Sequence, residues 1–147
     1  MNLQIKEIYD ILFAEFGTQN WWPGDSRFEI IVGAILTQNT NWQNVEKAIN
    51  NIKAARLLSP EGLYGLSDDK LAELIKPAGY FNIKAKRLKN VLAWLFDNFG
   101  GDVETADNLS DFALREQLLE IKGVGFETAD SIMLYAFERP IFVVDTY

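Results

Sequence analysis

"LLEIKGVGFETADSIMLYAF", residues 118–137, decides how the rest of the chain is read. An apolar run with helical spacing leads into Gly123, Val124 and Gly125, and a second such run follows, so the segment predicts two helices joined by a tight turn. Glycine suits a turn where φ is positive or where another group comes close to the backbone. Val124 can tuck into the helix interface while the amides of the turn and of the next helix's first residues converge on one anion, which the helix dipole also favours. A phosphate fits that description, and so does a plain sharp connection between helices.

Working outward, nearly every other segment also carries apolar residues at spacings of three and four, which predicts an all-α fold, a helical bundle containing this helix-hairpin-helix motif. A first helix is predicted over residues 3–16, with Ile5, Ile8, Ile11, Leu12 and Phe16 as its apolar stripe and Gly17 as its stop. "SRFE" at 26–29 reads as a capping box opening the run "IIVGAIL", and "TNWQ" at 40–43 reads as a second box. Short helices follow from Ser59-Pro60 and from Ser67, the latter stopped at Pro77. A long helix is expected over 82–99, ending at Gly100 and Gly101, and another from Ser110 to Glu120. The last helix is expected over 127–137, and the closing "IFVVDTY" reads as an apolar extended run bound for a core, as in a piece of a longer protein.

Composition narrows the chemistry. The chain has 147 residues, 48% of them hydrophobic, enough for one domain with a sizeable core. It has neither cysteine nor histidine, which removes disulfides, thiolate chemistry and the usual zinc ligands and leaves acid–base work to Asp, Glu, Lys or Tyr. No apolar run is long enough to span a bilayer, and the amino terminus lacks a secretory pattern, so a soluble, intracellular protein without a membrane partner is expected. The net charge is −7, yet residues 74–96 hold no acid and carry Lys76, Lys84, Lys86, Arg87 and Lys89. Such a stripe is either a phosphate-facing surface or a solvated helix face.

The order of these motifs resembles the endonuclease III superfamily of base-excision DNA glycosylases. "LLEIKGVGFETADSI" followed by "VVDTY" is similar to its helix-hairpin-helix and catalytic aspartate, "IIVGAILTQNT" to the helix ending in its DNA-inserting glutamine, and "PAGYFNIKAKRL" to its wedge loop and following helix. With "WWP" and "ILTQNTNW" added, the likeness is strongest to the branch typified by the bacterial 3-methyladenine DNA glycosylase of endonuclease III type.

The resemblance implies roles for particular residues. Asp145, eighteen residues after Glu127, matches the aspartate that stabilises an oxocarbenium-like sugar or activates the attacking water; with Thr146 it could instead cap a helix. Where bifunctional members carry a Schiff-base lysine this chain has Glu127, which cannot form an imine, so a monofunctional enzyme leaving an abasic site is implied. Trp21, Trp22 and Trp42 match base-stacking positions beside Glu127, and electron-rich rings suit a cationic alkylated purine. Gln38 matches the residue that fills the gap of a flipped base, and Tyr80 the wedge into the opposite strand. Lys84, Lys122, Gly123, Val124 and Gly125 are assigned to the DNA backbone.

The implied partner is double-stranded DNA with a damaged base, in the cytoplasm with the nucleoid. No metal site or cofactor is expected in this chain; many relatives hold an iron-sulfur cluster on four downstream cysteines, which any longer parent would have to supply. The implied domains are an amino-terminal helix, 1–20, belonging to a second domain of mixed terminal helices, a helical domain at 21–137, and a return segment at 138–147. Without carboxyl-terminal helices to cover it, the first helix would expose apolar surface and favour self-association. A glycosylase for oxidised or mismatched bases and a non-catalytic DNA-binding module are the alternatives.

Overall fold

A computed structural model of the chain describes residues 4–19 and 21–145, and among these every regular element is helical. The elements are α1 (Ile5–Phe16), α2 (Arg27–Leu36), α3 (Trp42–Ala54), α4 (Pro60–Tyr64), α5 (Asp68–Leu74), a 3₁₀ turn at Lys76–Ala78, α6 (Phe81–Phe99), α7 (Val103–Ala106), α8 (Asp111–Glu120) and α9 (Phe126–Ser131), which runs on as a π-helical turn over Ile132–Ala136. The short α7 after Gly101 was not legible as a helix. Asp102 opens it by accepting from the Glu104 amide at 2.9 Å.

Helix starts follow the side chains that accept from free amides. Ser26 Oγ accepts from Glu29 N at 3.2 Å, while the Glu29 carboxylate takes the amide of Asp25 rather than that of the cap residue. Ser59, Ser67 and Ser110 cap α4, α5 and α8 in the same way. The second expected box is corrected: Asn41, not Thr40, caps α3, its side-chain Oδ1 accepting from Asn44 N at 3.1 Å.

Helices α2 and α6 form the centre. Ile31, Val32, Ile35 and Leu36 of α2 meet Leu88, Val91, Leu92 and Leu95 of α6 within one continuous buried cluster that also holds Leu114, Leu118, Val124, Ile132 and Met133 from the hairpin side. Around this core, helix α1 stands apart. None of its residues is buried, and Ile5, Ile8, Ile11, Leu12 and Phe16 are all exposed.

The carboxyl-terminal run corrects the expectation of burial. It lies extended on the surface with alternating sides: Phe142 and Val144 are more than two-thirds exposed, whereas Ile141 packs on the core and Val143 and Asp145 turn toward a cleft. Thr146 and Tyr147 lie outside the described residues.

Two stability measurements check this packing. Ile35→Ala, at a fully buried site, should cost about 2–5 kcal/mol in urea unfolding, and Phe142→Ala should stay within about 0.5 kcal/mol. Asp107 sits 2.6 Å from the Arg27 guanidinium and 2.8 Å from that of Arg139, and the close contact with Arg27 first, then the charges of both, hold its carboxyl below 3.8. The unfolded chain therefore takes up this proton more readily than the folded one, so the stabilisation is present above the ordinary aspartate range and fades as pH falls through the lowered value. Asp107→Asn should flatten the acid limb of a stability–pH curve below about pH 4, with little change in its slope at pH 6–8.

Candidate nucleic-acid interface and base pocket

The hairpin between α8 and α9 is held from outside by helix α6. Gly123 has φ +101°, and a Cβ built there would lie 2.4 Å from Cγ of Arg87, whose side chain crosses the turn. Both the backbone angle and the crossing arginine therefore demand glycine. Gly125 is different: its φ is −100°, it is the residue before α9, and nothing lies within 4 Å of its would-be Cβ. The expectation that both glycines answer to positive φ or to an internal close approach thus holds for Gly123 alone. Val124 is buried in the helix interface. Lys122 is exposed, and its carbonyl accepts from Asn90 Nδ2 of α6 at 2.7 Å, a second tie from the same helix.

Gln38 lies just after α2 and reaches this turn. Its Nε2 donates to Gly123 O and to Thr128 Oγ1, both at 3.0 Å, and its Oε1 accepts from Arg87 at 2.5 Å. The amide thus ties the end of α2 to the hairpin through its Nε2 and to α6 through its Oε1. Neighbouring Asn39 is exposed at φ +53°, and Tyr80, at φ +46° and 68% exposed, stands across a groove of about 280 Å³ that both residues line with Gln38 and Arg87.

A larger cleft of about 700 Å³ opens on the other side of Gln38. Its walls are Trp21, Trp22, residues 37–40, Arg87, the hairpin, Glu127, Thr128, Ser131, Tyr135, Val143 and Asp145. Predicted residues far apart in sequence, Trp21, Trp22, Gln38, Gly123, Val124, Gly125, Glu127 and Asp145, therefore share one cavity. Trp42 does not line it. That tryptophan stands behind the wall, edge-on to Trp22 at 5.4 Å and 5.8 Å from Trp21. Gly33 lets the indoles sit against α2, since a Cβ there would come within 3.2 Å of Trp22 Nε1.

Tyr135 was missed by the sequence reading, and its ring completes the aromatic wall at 5.2 Å from Trp22. The signal was available: Glu127, Ser131 and Tyr135 are spaced by four on one helical face. The π-helical turn that follows α9 carries Tyr135 itself, a distortion often found beside functional sites.

The basic stripe is dismantled by the structure, and the assignment of Lys84 to phosphate is corrected. Lys84 is 1% exposed, with its ammonium on the carbonyls of Leu36 and Ala78, both at 2.7 Å. Burial, and secondarily the charge of Arg87, brings its pKa down to about 8. Lys89 is likewise spent on the carbonyls of Leu63, Tyr64 and Leu66, and Arg87 on Gln38. Among the described residues there is no group of His, Cys, Asp and Glu suited to a metal ion. No described helix is long and apolar enough to cross a membrane.

With this geometry in view, the family model described as HhH-GPD superfamily base excision DNA repair protein matches residues 32–147. The chain belongs to that superfamily. This HhH-GPD chain is 55% identical, over 97% of its length, to a Methanocaldococcus jannaschii protein provisionally named a DNA repair glycosylase, and spans 66% of that relative. It is 31% identical to the endonuclease III of Thermotoga maritima over 82% of its own length and 52% of the relative's. Among solved structures it superposes on the Helicobacter pylori 3-methyladenine DNA glycosylase bound to 1,N6-ethenoadenine, with a TM-score of 0.80 and 32% identity, covering 95% of this chain and 66% of that one. A non-covalent endonuclease III–DNA complex shares the fold at a TM-score of 0.79 and 22% identity, covering 99% and 65%.

The two glycines of the hairpin should separate in stability. Gly123→Ala is expected to lose more than about 1 kcal/mol in urea unfolding, because it forces positive φ on alanine and displaces Arg87, whereas Gly125→Ala should be nearly neutral.

Proposed function

We propose that this chain carries the base pocket and hairpin of a monofunctional DNA glycosylase that hydrolyses the N-glycosidic bond of an alkylated purine, such as 3-methyladenine, in duplex DNA and leaves an abasic site. The observation that carries the reading is the shared cleft: the aromatic faces of Trp21, Trp22 and Tyr135, the Glu127 and Asp145 carboxylates and the hairpin line one cavity large enough for a purine.

Each part has a physical task. Backbone amides of the turn and the first residues of α9 present hydrogen-bond donors to a phosphate, and the open space at Gly125 lets a strand approach the main chain. Gln38 and Tyr80 distort the duplex from its two sides while the damaged nucleotide swings into the cleft. There the indole and phenol rings stack on the base, and their electron-rich faces attract the positive charge that alkylation places on a purine. The Glu127 carboxylate accepts from the exocyclic amine of the base or attracts its charge. As the glycosidic bond breaks, positive charge develops on the sugar, and the Asp145 carboxylate at the cleft edge stabilises it or takes a proton from the attacking water. An alkylated base is already a good leaving group, which suits a site that holds no histidine.

The lining supports hydrolysis without strand cutting. A lyase needs an amine to form an imine with the sugar, and among the described residues no lysine lines the cleft. Lys84, the nearest buried ammonium, is turned onto two carbonyls in the adjoining groove.

The test is release of 3-methyladenine from methylated duplex DNA, with products separated directly and after alkali. Wild type should release the base and yield strand breaks only after alkali; Asp145→Asn should lower the single-turnover rate by about a hundredfold or more with duplex affinity kept. Direct strand cutting would refute the monofunctional assignment. Release of oxidised or mismatched bases in place of 3-methyladenine would move the substrate to that class.

A further inference from the structure

Lys84 is the one fully buried cation of this chain among the described residues, and the base-release chemistry proposed above does not use it. Its two acceptors are not arbitrary carbonyls. Leu36 O belongs to the last residue of α2, immediately before the loop 37–40 that carries Gln38 and Asn39. Ala78 O belongs to the last residue of the 3₁₀ turn, two residues before Tyr80. Carbonyls at helix ends have no intrahelical donor, and a cation there also meets the negative end of the helix dipole. One ammonium therefore closes the ends of two different elements at once, at 2.7 Å each.

Gln38 and Asn39 after the first element and Tyr80 after the second line one groove, together with Ile83, Lys84 and Arg87. Besides Lys84, the first loop is held by Thr37 N on Gly33 O at 2.8 Å, Thr40 N on Thr37 O at 3.1 Å and the three bonds of the Gln38 amide, and the second by Ala78 N on Ile75 O at 2.9 Å and Gly79 N on Lys76 O at 3.2 Å; of the side chains that make these bonds, Lys84 is the one that reaches both segments. Tyr80 and Asn39 both occupy left-handed backbone conformations, which persist in non-glycine residues only where the surroundings hold them.

We propose that Lys84 is a positioning residue, a clamp that fixes the spacing between the Gln38–Asn39 loop and the Tyr80 turn so that the two reach a DNA duplex in register from opposite sides. The proposal rests on the reading of Gln38 and Tyr80 as the residues that distort DNA. It assigns Lys84 no contact with nucleic acid and no part in bond cleavage. Its effect lies in preorganisation: loops that must each be placed before they can act together lose rate steeply when their relative position drifts by an ångström.

The experiment uses Lys84→Met, which keeps the length of the side chain and removes every donor, and Lys84→Gln, which keeps two donors on a shorter arm. Hydrogen exchange of the free protein is read first. The amides of residues 37–40 and 78–81 should exchange about tenfold faster or more in Lys84→Met, with residues 111–131 unchanged. A uniform rise across all segments, or loss of helicity in both variants, would overturn the proposal, because Lys84 would then hold the whole bundle and not two loops; unchanged exchange in the loops would overturn it as well.

The second measurement uses a duplex holding a tetrahydrofuran abasic analogue with 2-aminopurine opposite it. Binding is followed by anisotropy and unstacking by 2-aminopurine fluorescence. Lys84→Met should bind within about threefold of wild type yet lose about tenfold of the fluorescence gain at saturation, with Lys84→Gln in between. Equal losses of affinity and fluorescence, or no loss of either, would overturn the clamp. If wild type itself gives no fluorescence gain, the DNA-distortion reading fails, and the exchange result still decides whether Lys84 ties the two loops together.

Discussion

A domain built from short helices has many helix ends, and each end leaves carbonyls that must find donors. That constraint shapes this molecule more than any other polar interaction. Lys84 closes the end of α2 and the 3₁₀ turn, Lys89 closes the end of α4 through Leu63, Tyr64 and Leu66, and Arg139 reaches the carbonyls of Asp107 and Leu109 after α7. Two of these three cations project from α6, the longest helix, which also packs its apolar face into the core. Helix α6 is thus both the centre of the hydrophobic cluster and the donor strip for its neighbours' ends.

The same helix places the hairpin. Arg87 crosses Gly123 and binds Gln38, while Asn90 holds the carbonyl of Lys122. The hairpin turn and Gln38 are therefore tied to each other through one helix. The chain has 14 basic residues against 21 acidic ones, and several of the cations are spent on internal carbonyls. In the proposed complex, hairpin amides and a helix dipole would supply what a charged surface otherwise provides, without requiring a basic protein.

The helix starts and the hairpin turn were legible because their residues are strongly constrained locally. Gly123 is required by φ, and Ser26, Ser59, Ser67 and Ser110 by helix capping. Residues whose roles depend on a distant partner were misread or missed. Lys84 looked like part of a basic surface since its neighbours Lys86, Arg87 and Lys89 are also basic, and the carbonyls that bury it belong to residues six and forty-eight positions away. Tyr135 looked like one more apolar helix residue, and Trp42 like a third member of the pocket rather than the support behind Trp22.

The sequence by itself determined the helical class, most helix starts, the glycine at 123 and the chemical types available to the cleft, because these follow from periodicity, capping and backbone sterics within a few residues. Only the tertiary structure decided which cations remain at the surface, which side of the extended run 141–145 faces the cleft, and which aromatic rings line it. Those outcomes depend on carbonyls, rings and cavities contributed by other helices. Burial turns a lysine from a phosphate ligand into a structural tie, and no local pattern records whether that burial occurs.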